Sequence, residues 1–260
     1  MSVQGSATEA AVVDFVIATE SDQPDRPVSW EPHTHPVHEL TWVRNGVMTI
    51  VLEQRIWAVP EGWGLWMPAG VVHAGSISTG TQFHASFFAT DHSTFSPTKP
   101  TCLKISALLH ELLLHLERQD LAPEARRRAE RVVFDLIEPA SLLIDLPIPA
   151  DRRLVSIAEA LFQNPADTRT LDDWARLGGA SSRTLARAFT ASVGQSFTEW
   201  RRRLRMQRAL ILLAEGYPVA EVATEVGYLD TGSFIAAFRE TMGETPGRFR
   251  ENMMSDLANS

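Results

Sequence analysis

The sequence is poor in several features that define common protein classes. It holds one cysteine, Cys102, in 260 residues, so no disulfide can form within the chain and a reducing compartment is expected. No apolar run reaches the roughly 18 residues that a membrane-spanning helix requires. The first twenty residues carry no Lys or Arg, which argues against a secretory signal. We therefore expect a cytoplasmic protein without a membrane partner.

Charge is distributed unevenly along the chain, whose net charge is −8. Residues 1–150 contain ten Lys and Arg against eighteen Asp and Glu, whereas residues 151–252 contain fourteen Arg, no Lys and thirteen acidic residues. All eight His and five of the seven Trp precede residue 116. Two parts with such different chemistry predict two domains with different functions.

The front part has the pattern of a small antiparallel β-domain. Between residues 28 and 88, short β-rich runs alternate with turn residues, and Asn45-Gly46 is a strong hairpin signal. Many short strands without intervening helical periodicity predict a sandwich or barrel.

Four side chains within this part have the spacing of metal ligands. His33, His35 and Glu39 share one face of an extended strand, because side chains two apart point the same way. Turn residues bring His73 onto another strand. Three imidazoles and one carboxylate suit a borderline divalent metal, whereas His38 has the opposite parity and should point away.

These histidines lie in two motifs that resemble those of the cupin superfamily. The motifs are His33-Thr34-His35-Pro36-Val37-His38-Glu39 followed by Gly46, and Gly62-x5-Pro68-x-Gly70-x2-His73. The resemblance implies a barrel that binds either a divalent metal (Fe, Mn, Ni or Zn) at His33, His35, Glu39 and His73, or an organic effector. Tryptophans in the barrel either wall an effector pocket or belong to the core; the pocket candidates are Trp42, Trp57 and Trp66.

Two apolar segments predict helices in the middle of the chain, at residues 104–118 and 124–146. Helices this apolar need burial on more than one side. They either pack on the barrel of the same chain or pair with a second subunit, and we expect a homodimer. Residues 146–151, with two prolines, then predict an interdomain linker.

The back part predicts two helix-turn-helix units joined by one helix. The first unit has helices at 152–163, at 171–177 and from the Ser181 cap to about 192; the second has helices at 218–226 and 231–242. The connecting helix, 197–214, would be about 27 Å long. That is close to the roughly 34 Å turn of B-DNA that separates successive major-groove sites.

This part resembles the AraC/XylS family of transcription regulators. The resemblance rests on Gly194-Gln195-Ser196-Phe197, Val222-Ala223-Thr224-Glu225-Val226-Gly227-Tyr228, Phe234, Phe238-Arg239, Gly243 and Thr245-Pro246. It implies binding to a double-stranded DNA operator, with an RNA polymerase contact if the protein is an activator. Some actinobacterial members with similar cupin motifs resemble repressors of iron-protein genes. The residues carried over as DNA contacts are Ser182, Arg183, Thr184 and Arg187 in the first unit, Thr231, Ser233 and Arg239 in the second, and Arg205 on the connecting helix.

The second unit departs from the family pattern. Ala236 stands where family members commonly carry Arg, and Gly232, Ile235 and Ala237 surround it. Contacts with phosphates, thymine methyl groups or bent DNA are therefore open alternatives to hydrogen-bonded base reading in this unit.

We therefore expect a two-domain α+β protein that is a sequence-specific transcription regulator rather than an enzyme. Its cupin would sense a small molecule or metal ion, with metal- or iron-linked gene control as one possibility. The alternative is a metal-dependent cupin enzyme, of the dioxygenase or isomerase type, with a DNA-binding appendage. The expected divisions are a cupin-like sensory domain (1–100), a helical linker and dimerisation segment (101–150), a double helix-turn-helix domain (151–252) and a flexible tail (253–260).

Overall fold

The structure is a computed structural model that describes residues 16–91, 93–140 and 145–255. Within these ranges, no helix combines the length and apolar character needed to cross a bilayer. The strands are, in chain order, β1 (Ile17–Asp22), β2 (Val28–His33), β3 (His38–Arg44), β4 (Val47–Leu52), β5 (Arg55–Pro60), β6 (Trp63–Met67), β7 (His73–Ile77), β8 (Gln82–Phe88), β9 (Thr101–Lys104), β10 (Glu138–Pro139) and β11 (Asp145–Pro147). The helices are α1 (Ala107–His115), α2 (Pro123–Leu136), α3 (Arg152–Gln163), α4 (Leu171–Leu177), α5 (Ser182–Val193), α6 (Phe197–Ala214), α7 (Val219–Glu225), α8 (Thr231–Met242) and α9 (Pro246–Ser255).

The front domain consists of two antiparallel sheets, which confirms the predicted fold class. One sheet has the order β1-β8-β3-β6-β9-β10 and the other β11-β5-β4-β7-β2. Strand β3 shows how the alternating pattern builds the site. Glu39 and Thr41 face a cavity between the sheets, whereas Leu40 and Trp42 join a core cluster under the helices α1 and α2.

The middle segment differs from the prediction. The first predicted helix begins only at Ala107, after strand β9, and the second ends at Leu136. Prolines disfavour helix beyond that point, and Glu138–Pro139 and Asp145–Pro147 instead pair with β9 and β5. Residues 141–144 of the predicted helix lie outside the described residues. The segment expected to be a separate helical linker thus contributes strands to both sheets.

Helices α1 and α2 bury their apolar faces on the domain of their own chain. Leu109, Leu113 and Val133 are fully buried in the cluster that contains Trp42 and Trp66. This packing within one chain is the alternative that we weighed against dimerisation. Leu108 and Val132 remain exposed on the outer surface of these helices.

The back domain forms the predicted arrangement of helices. Helix α6 spans the predicted residues and is capped by Ser196, whose side chain accepts a hydrogen bond from the backbone of Glu199. Separate apolar clusters form on either side of α6, one for each helix-turn-helix unit. The predicted tail is partly helical, because α9 runs to Ser255; residues 256–260 lie outside the described part of the chain.

The two domains meet where α6 packs against β4, β5 and β11. The side-chain amide of Gln207 donates a 2.8 Å hydrogen bond to the carbonyl of Ile56, and the indole of Trp200 donates a 2.7 Å bond to the carbonyl of Pro147. Leu146, predicted to lie in a linker, is fully buried in the core of the first helix-turn-helix unit. This segment therefore holds the domains together instead of separating them.

Candidate sensory and DNA-binding sites

The four predicted metal ligands lie together in the front domain. One ring nitrogen from each of His33, His35 and His73 lies within 4.8 Å of the others. The Glu39 Oε2 atom lies 3.2 Å from Nε2 of His73 and 3.4 Å from Nε2 of His35. All but His33 are buried, so the cluster combines convergent donors with little access to bulk water.

Strand pairing places these ligands. His33 and His73 are directly opposite each other on β2 and β7, and Glu39 lies on β3 of the facing sheet. The register of β2 shifts between Trp30 and His33, which is the mark of a β-bulge. The bulge lets Trp30 and His33 face the same cavity although they are three residues apart.

Backbone carbonyls fix the orientation of two imidazoles. The Nδ1 atom of His33 is 2.7 Å from the carbonyl of Glu31, and that of His73 is 3.1 Å from the carbonyl of Val71. A ring that donates from Nδ1 leaves Nε2 as the electron-pair donor, which is the usual arrangement of metal-binding histidines.

The Glu39 carboxylate acts unequally on the pKa values of the two neighbouring histidines, His35 and His73. Burial is the main cause that lowers the pKa of His35, and the attraction of Glu39 only partly opposes it. Burial also acts against protonation of His73, but the hydrogen bond and charge of Glu39 outweigh it and raise the pKa of His73. His38 lies apart, as its parity predicts: its ring nitrogens contact the Ala69 amide and the Ser96 hydroxyl.

The histidine cluster forms part of the wall of a cavity of about 270 Å³. Both acidic and apolar side chains line the cavity. Its further lining residues include Glu20, Asp22, Trp30, Met48, Ile50, Met67, Phe83 and Phe87. The described lining contains no Lys or Arg.

The three tryptophans predicted as pocket candidates do not line this cavity. Trp42 and Trp66 are buried on the opposite face of their sheet, in the cluster under α1 and α2. Trp57 packs against the apolar core between the sheets. These three tryptophans therefore belong to the core. The indole that lines the cavity is that of Trp30, whose ring centroid lies 4.8 Å from that of Phe83. Simple alternation misses Trp30 because the bulge reverses its parity relative to His33.

The first recognition helix presents its predicted residues to solvent. Arg183, Thr184 and Arg187 are exposed on α5, and Ser182 is half-buried. Leu185 and Phe189 fix the opposite face in the core. The side chains predicted to contact bases therefore share an accessible surface.

Arg205 has a different environment from the one predicted. Its guanidinium group donates hydrogen bonds to the backbone carbonyls of Pro165, Gly227 and Asp167, at 3.0, 3.0 and 3.3 Å. Burial, followed by repulsion from Arg201, lowers its pKa. Arg205 thus connects the loop between α3 and α4 in the first unit with the turn between α7 and α8 in the second. Its guanidinium donors are used within the domain.

Neighbouring arginines of α6 also form contacts within the domain. Arg202 pairs with Glu199 and with Glu240 of α8, while Arg203 pairs with Glu199 and with Asp145 of the front domain. Arg208 is exposed. Most of this charge cluster therefore stabilises packing.

The second recognition helix exposes few polar groups near its start. Asp230 caps α8, accepting 2.8 and 2.6 Å hydrogen bonds from the backbone amide and hydroxyl of Ser233. Thr231 is half-buried, and Ser233 and Arg239 are exposed. The hydroxyl predicted to contact DNA is thus already used by the helix cap.

Comparison with known proteins agrees with both halves of the structure. Residues 16–127 match the model of the AraC-like ligand binding domain, and residues 174–252 match a helix-turn-helix domain. The HTH-type transcriptional regulator NimR of Escherichia coli K12 is 32% identical over 243 residues, which cover 92% of this chain and 87% of NimR.

Of two further matches, one covers a smaller part of the chain and the other has a low sequence identity. The HTH-type transcriptional regulator RipA of Corynebacterium glutamicum is 43% identical over 103 residues, 40% of this chain and 31% of RipA. The crystal structure of ToxT from Vibrio cholerae O395 matches with a TM-score of 0.38 and 11% identity over 90% of this chain and 96% of ToxT. The two domain models and the nearly full-length match to NimR show that the chain belongs to the AraC family of DNA-binding transcription regulators.

Proposed function

We propose that this regulator binds a specific operator and adjusts its occupancy when a small effector or a divalent metal enters the front domain. One observation carries the sensory half: three imidazoles and a carboxylate converge on the wall of a cavity between the sheets. The relatives are named as transcription regulators, which favours this function over a metal-dependent enzyme. An operator partner also supports a cytoplasmic location.

The residues of the cluster fit a divalent metal. His33, His35, His73 and Glu39 offer nitrogen and oxygen donors of the kind that Fe, Mn, Ni and Zn accept. The buried Glu39 Oε2 faces Nε2 of His73 and Nε2 of His35, at 3.2 and 3.4 Å. The carbonyl contacts of the Nδ1 atoms of His33 and His73 leave Nε2 as the electron-pair donor of each ring. A bound metal would supply positive charge and open positions for an effector atom.

The lining of the cavity favours a neutral or cationic effector over an anionic one. Glu20, Asp22 and Glu39 face the space without a described Lys or Arg to balance them, so a carboxylate or phosphate would meet repulsion. Trp30 and Phe83 provide an aromatic surface. A volume of about 270 Å³ suits a small molecule.

Elemental analysis of the purified full-length protein tests whether the cluster binds a metal. We expect metal in the wild type, and its loss from His35→Ala and His73→Ala with DNA affinity largely retained. His38→Ala is the matched control, because His38 lies outside the cluster. Wild-type protein that remains free of metal after equilibration with Fe, Mn, Ni or Zn contradicts this half of the proposal.

For the DNA half, α5 supplies base contacts through Arg183 and Arg187. Arg pairs bidentately with guanine in the major groove, and each such contact provides about 1–3 kcal/mol of discrimination. We expect Arg187→Ala to weaken operator binding about 5- to 150-fold in a gel-shift assay, the equivalent of about 1–3 kcal/mol, while its unfolding curve stays unchanged. Unaltered affinity for the operator would refute this role.

Communication between the domains runs through the β4–β5 hairpin and α6. Met48 and Ile50 line the cavity, while Val47 and Ala58 of the same hairpin pack in the core of the second helix-turn-helix unit. An effector that binds two arrangements of this wall unequally would shift the orientation of the DNA domain.

Dimerisation is the remaining part of the proposal. Its support is the exposed apolar surface of Leu108 on α1 and Val132 on α2. Light scattering of the purified protein should show a dimer that Leu108→Glu converts to a monomer. A wild-type monomer at micromolar concentration would remove this part.

A further inference from the structure

An unpartnered apolar surface lies at the start of the second recognition helix. Leu229 directly precedes the cap residue Asp230 and is the most exposed of the large apolar side chains described, with its whole surface open to solvent. Ala236 is exposed one and a half turns into α8, and Ile235 is half-buried beside it. An exposed leucine by itself does not indicate a function. Leu229 is informative because it lies beside a recognition helix.

The polar side chains near this surface cannot replace it as base-reading groups. The Ser233 hydroxyl donates to the Asp230 carboxylate at 2.6 Å, and Gly232 and Ala236 carry no side-chain donor. Arg239 lies in the third turn of α8, whereas base contacts of a recognition helix come mainly from its N-terminal residues. The first two turns therefore offer apolar contact and little hydrogen bonding.

DNA offers one apolar group in the major groove, the C5-methyl group of thymine. We propose that Leu229, together with Ala236, reads thymine methyl groups, so that the second unit selects a thymine-containing half-site by apolar contact. This inference rests on the proposed binding to a specific operator. It assigns the two units different chemistry: α5 reads through Arg183 and Arg187, and the start of α8 reads through methyl groups.

Replacing thymine with uracil tests this assignment, because uracil lacks the methyl group and retains the hydrogen-bonding edge. The operator is first recovered by selecting random double-stranded DNA with the full-length protein. The selection is then repeated with Arg187→Ala. The half-site that loses its sequence preference is the one bound by α5, and the other half-site is the one bound by α8. Uracil is then placed in each half-site in turn, and the ratio of thymine to uracil affinity is measured.

We expect uracil in the α8 half-site to weaken binding about fourfold for each contacted methyl, the equivalent of roughly 0.8 kcal/mol per buried methyl-sized group. Leu229→Ala should bring the ratio of thymine to uracil affinity near one. The base change and the side-chain change together form a double-mutant cycle, which measures the coupling between Leu229 and the methyl group. Leu177→Ala is the matched control: it truncates another exposed leucine, in the first helix-turn-helix unit, and should leave the ratio for the α8 half-site unchanged.

Each other outcome overturns the inference in a recognisable way. Tight operator binding with no uracil effect in the α8 half-site contradicts methyl reading and leaves the proposed function standing. A uracil effect that survives Leu229→Ala assigns the reading to other residues. Loss of transcription in Leu229→Ala with an unchanged ratio would make Leu229 a polymerase contact. Failure to select any sequence would refute the proposed function itself.

Discussion

At the scale of single residues, arginines of similar appearance have different functions. Arg187 projects from α5 into solvent, whereas Arg205 satisfies three carbonyls between the two helix-turn-helix units. Gly227 shows how closely Arg205 fits: its φ is +81°, and an added Cβ would lie 2.6 Å from the Arg205 guanidinium. The environment of a charge, and not its sequence position, decides whether it is available to DNA.

Arg205→Met should therefore reduce stability. It keeps the apolar stem and leaves buried carbonyls without a donor, which costs about 1–3 kcal/mol in the free energy of unfolding. Urea unfolding measures the loss, with Arg208→Met as the control because Arg208 is exposed. Full stability with weakened DNA binding would instead restore Arg205 to the DNA contacts first predicted.

His84 makes a residue-scale prediction about pH. It is buried against Trp42, with ring centroids 5.2 Å apart, and its Nδ1 atom lies 2.8 Å from the Ser21 hydroxyl. Burial, then repulsion from His110 and Arg44, lowers the pKa of His84 from 6.5 to about 4. The unfolded chain therefore binds this proton more readily than the folded chain. Stability is complete above pH 6.5 and is lost as the pH falls toward 4.

The loss attributable to His84 should be about 2 kcal/mol between pH 7 and pH 5. The measurement is the free energy of unfolding at both pH values for the wild type and for His84→Phe, which keeps a ring and cannot titrate. The variant should lose less stability on acidification. An equal loss in both proteins would contradict the neutral buried state of His84.

At the scale of elements, α6 contacts both helix-turn-helix units and the front domain. Different sides of α6 pack in the cores of the two units. A third contact joins α6 to β5 through Gln207 and Ile56. The periodicity of the sequence predicts the length of α6 correctly, because its caps and apolar positions are local. The contact with the front domain was not predicted, since a buried Gln has no distinctive sequence pattern.

Removing this contact should loosen the front domain locally. Gln207→Met keeps the volume and loses the hydrogen bond to Ile56, so amide exchange in peptides covering β5 should rise about fivefold, the equivalent of roughly 1 kcal/mol. Peptides of α8 should be unaffected, and Arg208→Ala is the control. Unchanged exchange in β5 would show that this contact does not couple the domains.

At the scale of the whole molecule, the sequence predicts both domains and the metal-like cluster. Two motifs with every ligand position occupied define the cluster. The predicted single strand is wrong, however, because His33 ends β2, His35 lies in the connection between the strands and Glu39 lies on β3. Prediction from the sequence fails where the structure depends on a bulge or on pairing with a distant strand. The bulge in β2 brings Trp30 into the cavity, and strand pairing with β5 converts the predicted helix near Asp145 into β11.

In the proposed mode of DNA binding, α6 holds two reading helices about one DNA turn apart. Its 18 residues span about 27 Å, close to the roughly 34 Å between successive major-groove sites on one face of DNA. Hydroxyl-radical and methylation footprinting of the selected operator tests this most directly. We expect two protected major-groove segments on one face of the duplex, about ten base pairs apart, and Arg187→Ala should lose one of them. A single protected segment, or two on opposite faces of the duplex, would contradict it.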